Sequence, residues 1–180
     1  GATCHIDFRA LHKMWPEAKF IHLLRDPRDV AISYRKLGWS GHDFFAGDGW
    51  IKAERDWDTL KADLQPGQFH TIRYEDLVLD PVAELTKVCA FLNIPYTQDL
   101  FSYTETSPYS YPKKELANRW RDQLSPERLS LMEARMQPLM TEREYAPSAS
   151  PVSYSNRQIN IFGIRNALAK RVTPVRRNAI

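Results

Sequence analysis

The chain has 180 residues, of which 43% are hydrophobic and 26% charged, with a formal net charge of +3. That size and composition fit one globular domain with a sizeable core and exclude a disordered or fibrous chain. No apolar run reaches the length of a membrane span and no signal peptide is visible; Cys4 and Cys89 fit neither a disulfide framework nor a zinc pattern, so a reducing cytoplasm is the expected setting.

The first expected element is a helix over Asp7 to Trp15, with Phe8, Leu11 and Met14 or Trp15 at helical spacing, stopped by Pro16. Phe20, Ile21, Leu23 and Leu24 then make a short, nearly continuous apolar run, the pattern of a strand buried on both faces. Arg25 stands at its carboxyl end. Asp26 is a good N-cap, Pro27 a good first helical residue, and Asp29 suits the helix dipole. Ser33 lies about two turns after Asp26 and shares its face. Carboxyl ends of strands in open α/β sheets bind ligands, helix N-termini attract anions, and arginine grips phosphate oxygens in pairs. The segment therefore reads as a phosphate site without the glycine-rich loop and lysine of a Walker motif. A plainer reading pairs Arg25 with Asp29 and leaves Ser33 as a small residue in a packed helix.

Gly38 to Gly49 is a glycine-rich loop carrying aromatics, either a mobile segment facing substrate or an ordinary connection. A helix over Trp50 to Leu64, a Pro66-Gly67 turn, a strand over Phe69 to Tyr74 and an amphipathic helix over Pro81 to Leu92 follow. Ser125 and Pro126 cap and open a later helix. The alternation of strand and helix predicts an α/β fold with a parallel sheet. Ala146 to Ser155 reads as a linker, dividing a domain over residues 1–145 from a tail over 146–180. No acidic residue follows Glu144, whereas Arg157, Arg165, Lys170, Arg171, Arg176 and Arg177 do. Without these six, the body carries 19 basic groups against 22 acidic ones, which argues against nucleic-acid binding. In the tail, Ile161, Ile164, Leu168 and Val172 form an apolar stripe. It suits peripheral contact with an anionic membrane or a partner; the plainer reading is a helix docked on the body or a disordered basic end.

Three segments in order carry a family resemblance. Phe20–Tyr34, with its Arg25 and Ser33, resembles the 3′-phosphate-binding strand and helix of sulfotransferases that use 3′-phosphoadenosine-5′-phosphosulfate (PAPS). Arg73-Tyr-Glu-Asp-Leu77, then Asp80-Pro81 and a helix ending Phe91-Leu92, resembles the Tyr-Glu-Asp segment of that family. Lys113-Lys114 through Arg119-Trp120-Arg121 and Leu124-Ser-Pro-Glu127 resembles its late basic segment, although Glu115 and Asn118 stand where the family often has glycines.

The resemblance implies a three-layer α/β/α sandwich of the P-loop NTPase-like type, in its sulfotransferase variant. It implies sulfuryl transfer from PAPS to a hydroxyl or amine of a small-molecule, glycan or lipid acceptor, with 3′-phosphoadenosine 5′-phosphate (PAP) as product and no metal. Arg25 and Ser33 would bind the 3′-phosphate, Tyr74 would line the adenine pocket, and Lys113 and Lys114 would close over the phosphate. Trp120 would anchor the segment after them, and His5 would be the catalytic base. The resemblance also places the family's 5′-phosphosulfate loop before Gly1, so a truncated domain is expected. The alternative is a non-catalytic module that keeps the 3′-phosphonucleotide grip. On the residues alone, Tyr74 also reads as a core tyrosine, the lysines as a solvated face, and His5 as incidental.

Overall fold

The structure is a computed structural model; it describes residues 8–106, 111–148, 150 and 152–172. The chain divides into two compact units. One comprises the residues up to Arg25 together with Arg55–Asn118; the other comprises Asp26–Glu54 and the residues from Arg119 onward.

The first unit is built on two parallel strands, β1 (Phe20–Leu24) and β2 (Phe69–Arg73), in register from Phe20 opposite Phe69 to Leu24 opposite Arg73. Helix α1 (Phe8–Met14) precedes β1. Strand alternation sorts the side chains by face. On one face His22 stacks on Trp57, with ring centroids 4.4 Å apart, and Phe69 meets the same indole edge-on. Trp57 belongs to α3 (Asp48–Lys61), a helix that runs across the division between the units. On the other face His70 stacks on Phe91 at 5.6 Å. Phe91 lies in α5 (Pro81–Leu92), which follows the short α4 (Tyr74–Leu79). Asp80 caps α5 by accepting from the Ala83 amide at 3.0 Å, and Asn93 ends it in the left-handed conformation. Leu24, Trp57, Leu60, Ile72, Val78, Val88 and Cys89 are buried here.

β1 departs from the expectation of a strand buried on both faces. Ile21 and Leu23 are 45% and 53% exposed. β2 is its one paired neighbour among the described residues. On the face that Ile21 and Leu23 share with His70, the ring contact from α5, Phe91 on His70, is made with β2. A continuous apolar run thus records a strand made for a covered sheet without showing which positions are covered in this chain.

The second unit packs α2 (Pro27–Lys36), a 3₁₀ turn at Asp43–Phe45, α7 (Trp120–Gln123), α8 (Pro126–Glu142) and α9 (Asn156–Val172). Between β2 and α7 in the chain, α6 (Tyr103–Thr106) follows a 3₁₀ turn at Gln98–Phe101. α8 opens as expected, with Ser125 as cap and Pro126 in first position. It buries Met132, Met136, Leu139 and Met140, one stripe of a helix with a 3.6-residue period. Phe44, Ala46 and Trp50 are buried in the same unit, so the glycine-rich loop is a packed connection over these residues. Its glycines serve close approach: a Cβ on Gly47 would lie 2.1 Å from Met136 Sδ.

α9 docks by a face other than the predicted stripe. Phe162 stacks on His42 at 4.6 Å and tilts against Phe44 at 5.4 Å. Asn166 Oδ1 accepts from the Gly41 amide at 2.7 Å. Ile161, Ile164 and Leu168 are exposed, and the side chain of Val172 lies outside the described residues. One aromatic ring and one amide that satisfies a loop N–H outweigh three aliphatic side chains in setting the helix's rotation. The expected linker is also anchored at its start, where Ala146 and Ser148 join a buried charge network described below.

Candidate functional site

Arg25, Tyr74 and the Lys113–Lys114 segment come together within the first unit. β1 carries Arg25 at its carboxyl end, and Tyr74 opens α4 directly after the paired strand β2, in register beside it. The Arg25 guanidinium lies over the Tyr74 ring, 4.1 Å from its centroid. Its Nη2 donates to the carbonyl oxygen of Leu116 at 2.8 Å. That carbonyl belongs to a 3₁₀ turn, Lys114–Leu116, closed by the Leu116 amide on Lys113 O at 2.9 Å and the Ala117 amide on Lys114 O at 3.1 Å. Ring and carbonyl together hold the half-buried guanidinium in place. The Lys113 and Lys114 side chains are exposed. Asn118, where the family often has a glycine, takes φ +57°, a left-handed conformation that asparagine tolerates.

The second unit holds Ser33, whose Oγ donates to the Asp29 carbonyl at 3.2 Å, one turn back along α2. Asp26 caps α2 through the Arg28 amide at 2.9 Å. Asp29 Oδ1 accepts the Trp120 amide at 2.9 Å, so the carboxylate expected to serve the helix dipole also fastens the start of α7. Trp120 is buried there, as its expected anchoring role requires.

Sequence reasoning missed Arg28. Its side chain is buried between Asp26, which it grips in a paired contact at 2.9 and 2.7 Å, and Glu133, at 3.0 Å. Its Nη1 also donates to Ser148 Oγ at 2.8 Å and to Ala146 O at 3.2 Å, and its guanidinium lies 3.7 Å from the Trp120 ring centroid. Burial alone would lower its pKa; the hydrogen bonds and charges of Asp26 and Glu133 outweigh that and hold it above the ordinary arginine value. Asp26 and Trp120 were visible as a cap and an anchor. Glu133 and the Leu116 carbonyl carried no local signal, because their partners lie far away in sequence.

His5 lies outside the described residues. Among the described residues no cluster of His, Cys, Asp or Glu has the geometry of a metal site, and no helix is long and apolar enough to cross a membrane.

Comparison with known proteins bears on the family and the fold. A model of the sulfotransferase family matches residues 4–98, more than half of the chain, taking in His5, Arg25, Ser33 and Tyr74 and ending before Lys113. A putative protein-tyrosine sulfotransferase of Caenorhabditis elegans is 28% identical over 53% of this chain and 39% of its own length. The omega-hydroxy-beta-dihydromenaquinone-9 sulfotransferase Stf3 of Mycobacterium bovis is 30% identical over 48% of this chain and 26% of its own length. The chain thus spans well under half the length of these relatives. Among solved structures, a sulfotransferase domain from the curacin biosynthetic pathway superposes with a TM-score of 0.57 at 22% identity, covering 72% of this chain and 54% of that one, and shows the fold. The sulfotransferase domain of the Synechococcus PCC 7002 olefin synthase gives 0.53 at 27% identity, covering 66% and 49%. The family match takes in the first two of the three ordered segments, and the chain belongs to the sulfotransferase family.

Proposed function

We propose that the chain is the nucleotide-gripping part of a PAPS-dependent sulfotransferase, folded as a portion of a three-layer α/β/α sandwich. The observation that carries this reading is the Arg25 guanidinium held over the Tyr74 ring and tied to the turn that Lys113 and Lys114 open. Such a fixed cation on a lysine-bearing turn suits the 3′-phosphate of the donor, with Tyr74 toward adenine. The donor set is guanidinium and ammonium, so it fits a phosphate.

In the reaction, an acceptor oxygen or nitrogen forms a bond to sulfur as the bond from sulfur to the 5′-phosphate oxygen breaks. The acceptor proton passes to His5, and PAP leaves. The relatives are named for a protein tyrosine and for an omega-hydroxy menaquinone, both of which offer a hydroxyl, and this favours a hydroxyl acceptor here.

Calorimetric titration of the chain with PAP, in parallel with Arg25→Ala, tests the reading. Binding by the wild type and a loss of at least tenfold in the variant support it. A folded wild type that ignores PAP overturns it. Binding of PAP with no transfer to any hydroxyl acceptor selects the alternative, a non-catalytic 3′-phosphonucleotide-binding module.

A further inference from the structure

The docking of α9 leaves an outward face that the nucleotide site does not use. With Phe162 and Asn166 turned inward, Ile161, Ile164 and Leu168 are 40%, 62% and 55% exposed. At 3.6 residues per turn, Arg157 falls on the same stripe, and Arg165 and Arg171 flank it on either side. All three arginines are exposed, and α9 contains no acidic residue. Arg176 and Arg177 follow in the sequence.

We propose that this face of α9 seats the protein on an anionic lipid bilayer, with Ile161, Ile164 and Leu168 entering the headgroup boundary and Arg157, Arg165 and Arg171 contacting lipid phosphates. Two features favour a bilayer over other occupants. The apolar trio is small and convex, far below the area of roughly 1,000 Å² that a stable protein interface buries, whereas an interfacial helix needs only a shallow apolar edge. Pairing with a second copy across a two-fold axis would set arginines against arginines with no carboxylate on the helix to answer them. A few aliphatic side chains give marginal attachment alone, and the basic flank is the second signal that makes it effective. The inference stands independently of the sulfotransfer reading.

The test is sedimentation of the whole chain with vesicles of phosphatidylglycerol and phosphatidylcholine in equal parts, against phosphatidylcholine alone. The wild type is expected to partition onto the anionic vesicles only, with salt weakening the binding. Arg157→Gln and Arg171→Gln each lower the partition coefficient about fivefold, and Ile164→Glu abolishes binding while circular dichroism stays unchanged. As a second measurement, Ile164→Trp shows a blue-shifted emission with anionic vesicles. Failure of the wild type to bind, equal binding to neutral vesicles, or indifference to both kinds of substitution overturns the proposal. So does a concentration-dependent dimer that Ile164→Glu dissolves while the wild type ignores vesicles.

Discussion

Arg28 shows how a single side chain can order a unit. Three segments distant in sequence converge on it: the α2 cap through Asp26, α8 through Glu133 and the post-α8 chain through Ser148. Removing the guanidinium leaves two buried carboxylates without their cation. Breaking a buried pair in this way costs about 3–5 kcal/mol, more than the transfer energy of the side chain itself. Arg28→Ala is therefore expected to lower stability by that amount in urea unfolding followed by circular dichroism. A loss below about 1 kcal/mol would show that Asp26 and Glu133 find other partners, because a surface ion pair contributes no more than that. At this scale the sequence was legible wherever the cause was local. Asp26, Pro27, Ser125 and Pro126 cap and open helices through neighbours two or three residues away. Arg28 and Glu133 were illegible, because a buried ion pair is defined by who meets whom across the fold.

At the scale of elements, periodicity located the helices and strands but not always their buried sides. α9 is the clearest case. Its aliphatic stripe has helical spacing, yet Phe162 and Asn166 decide which way the helix faces. The glycine-rich loop is a second case, since composition alone leaves both a mobile and a packed reading open. Gly47 settles it for its own stretch. The Cβ of an alanine there would lie 2.1 Å from Sδ and 2.4 Å from Cγ of Met136, a side chain with no exposed surface. The better backbone propensity of alanine is worth at most about 1 kcal/mol, and overpacking a filled core costs about 1–3 kcal/mol. Gly47→Ala is accordingly expected to destabilise the protein. Combined with Met136→Ala, it is expected to cost less than the sum of the two single changes, because each relieves the other. Strict additivity in the double-mutant cycle would mean that Met136 swings away freely.

For the molecule as a whole, three resemblances in order identified the family, and the structure joins two of the three segments with Arg25 through Tyr74 and Leu116. What no local pattern could convey is how the second unit responds to pH. Burial lowers the His42 pKa, with Arg35 and Arg165 adding to the shift and Asp43 opposing it. Asp43 is also lowered: burial would raise it, but hydrogen bonds and charge from Arg128 and Arg35 prevail, with Arg128 Nε at 2.8 Å and Arg35 Nε at 2.9 Å. A group whose pKa is depressed by folding contributes stability above its unfolded value and loses it as pH falls through the folded value. The His42 contribution is thus complete above about pH 6.5 and fades below it, and that of Asp43 fades below about pH 4. Asp48 works in the opposite sense, because burial raises it despite Arg135, so its contribution declines as pH rises. His42 carries the ring on which Phe162 rests, so its protonation loosens α9 before the rest of the unit. Hydrogen exchange over Phe162–Asn166 should accelerate as pH falls below about 6.5, beyond the intrinsic change in exchange chemistry. His42→Phe keeps an aromatic surface but has no proton to gain, and should flatten that response. Acceleration that persists unchanged in His42→Phe would assign the pH sensitivity of α9 to a group other than the imidazole beneath it.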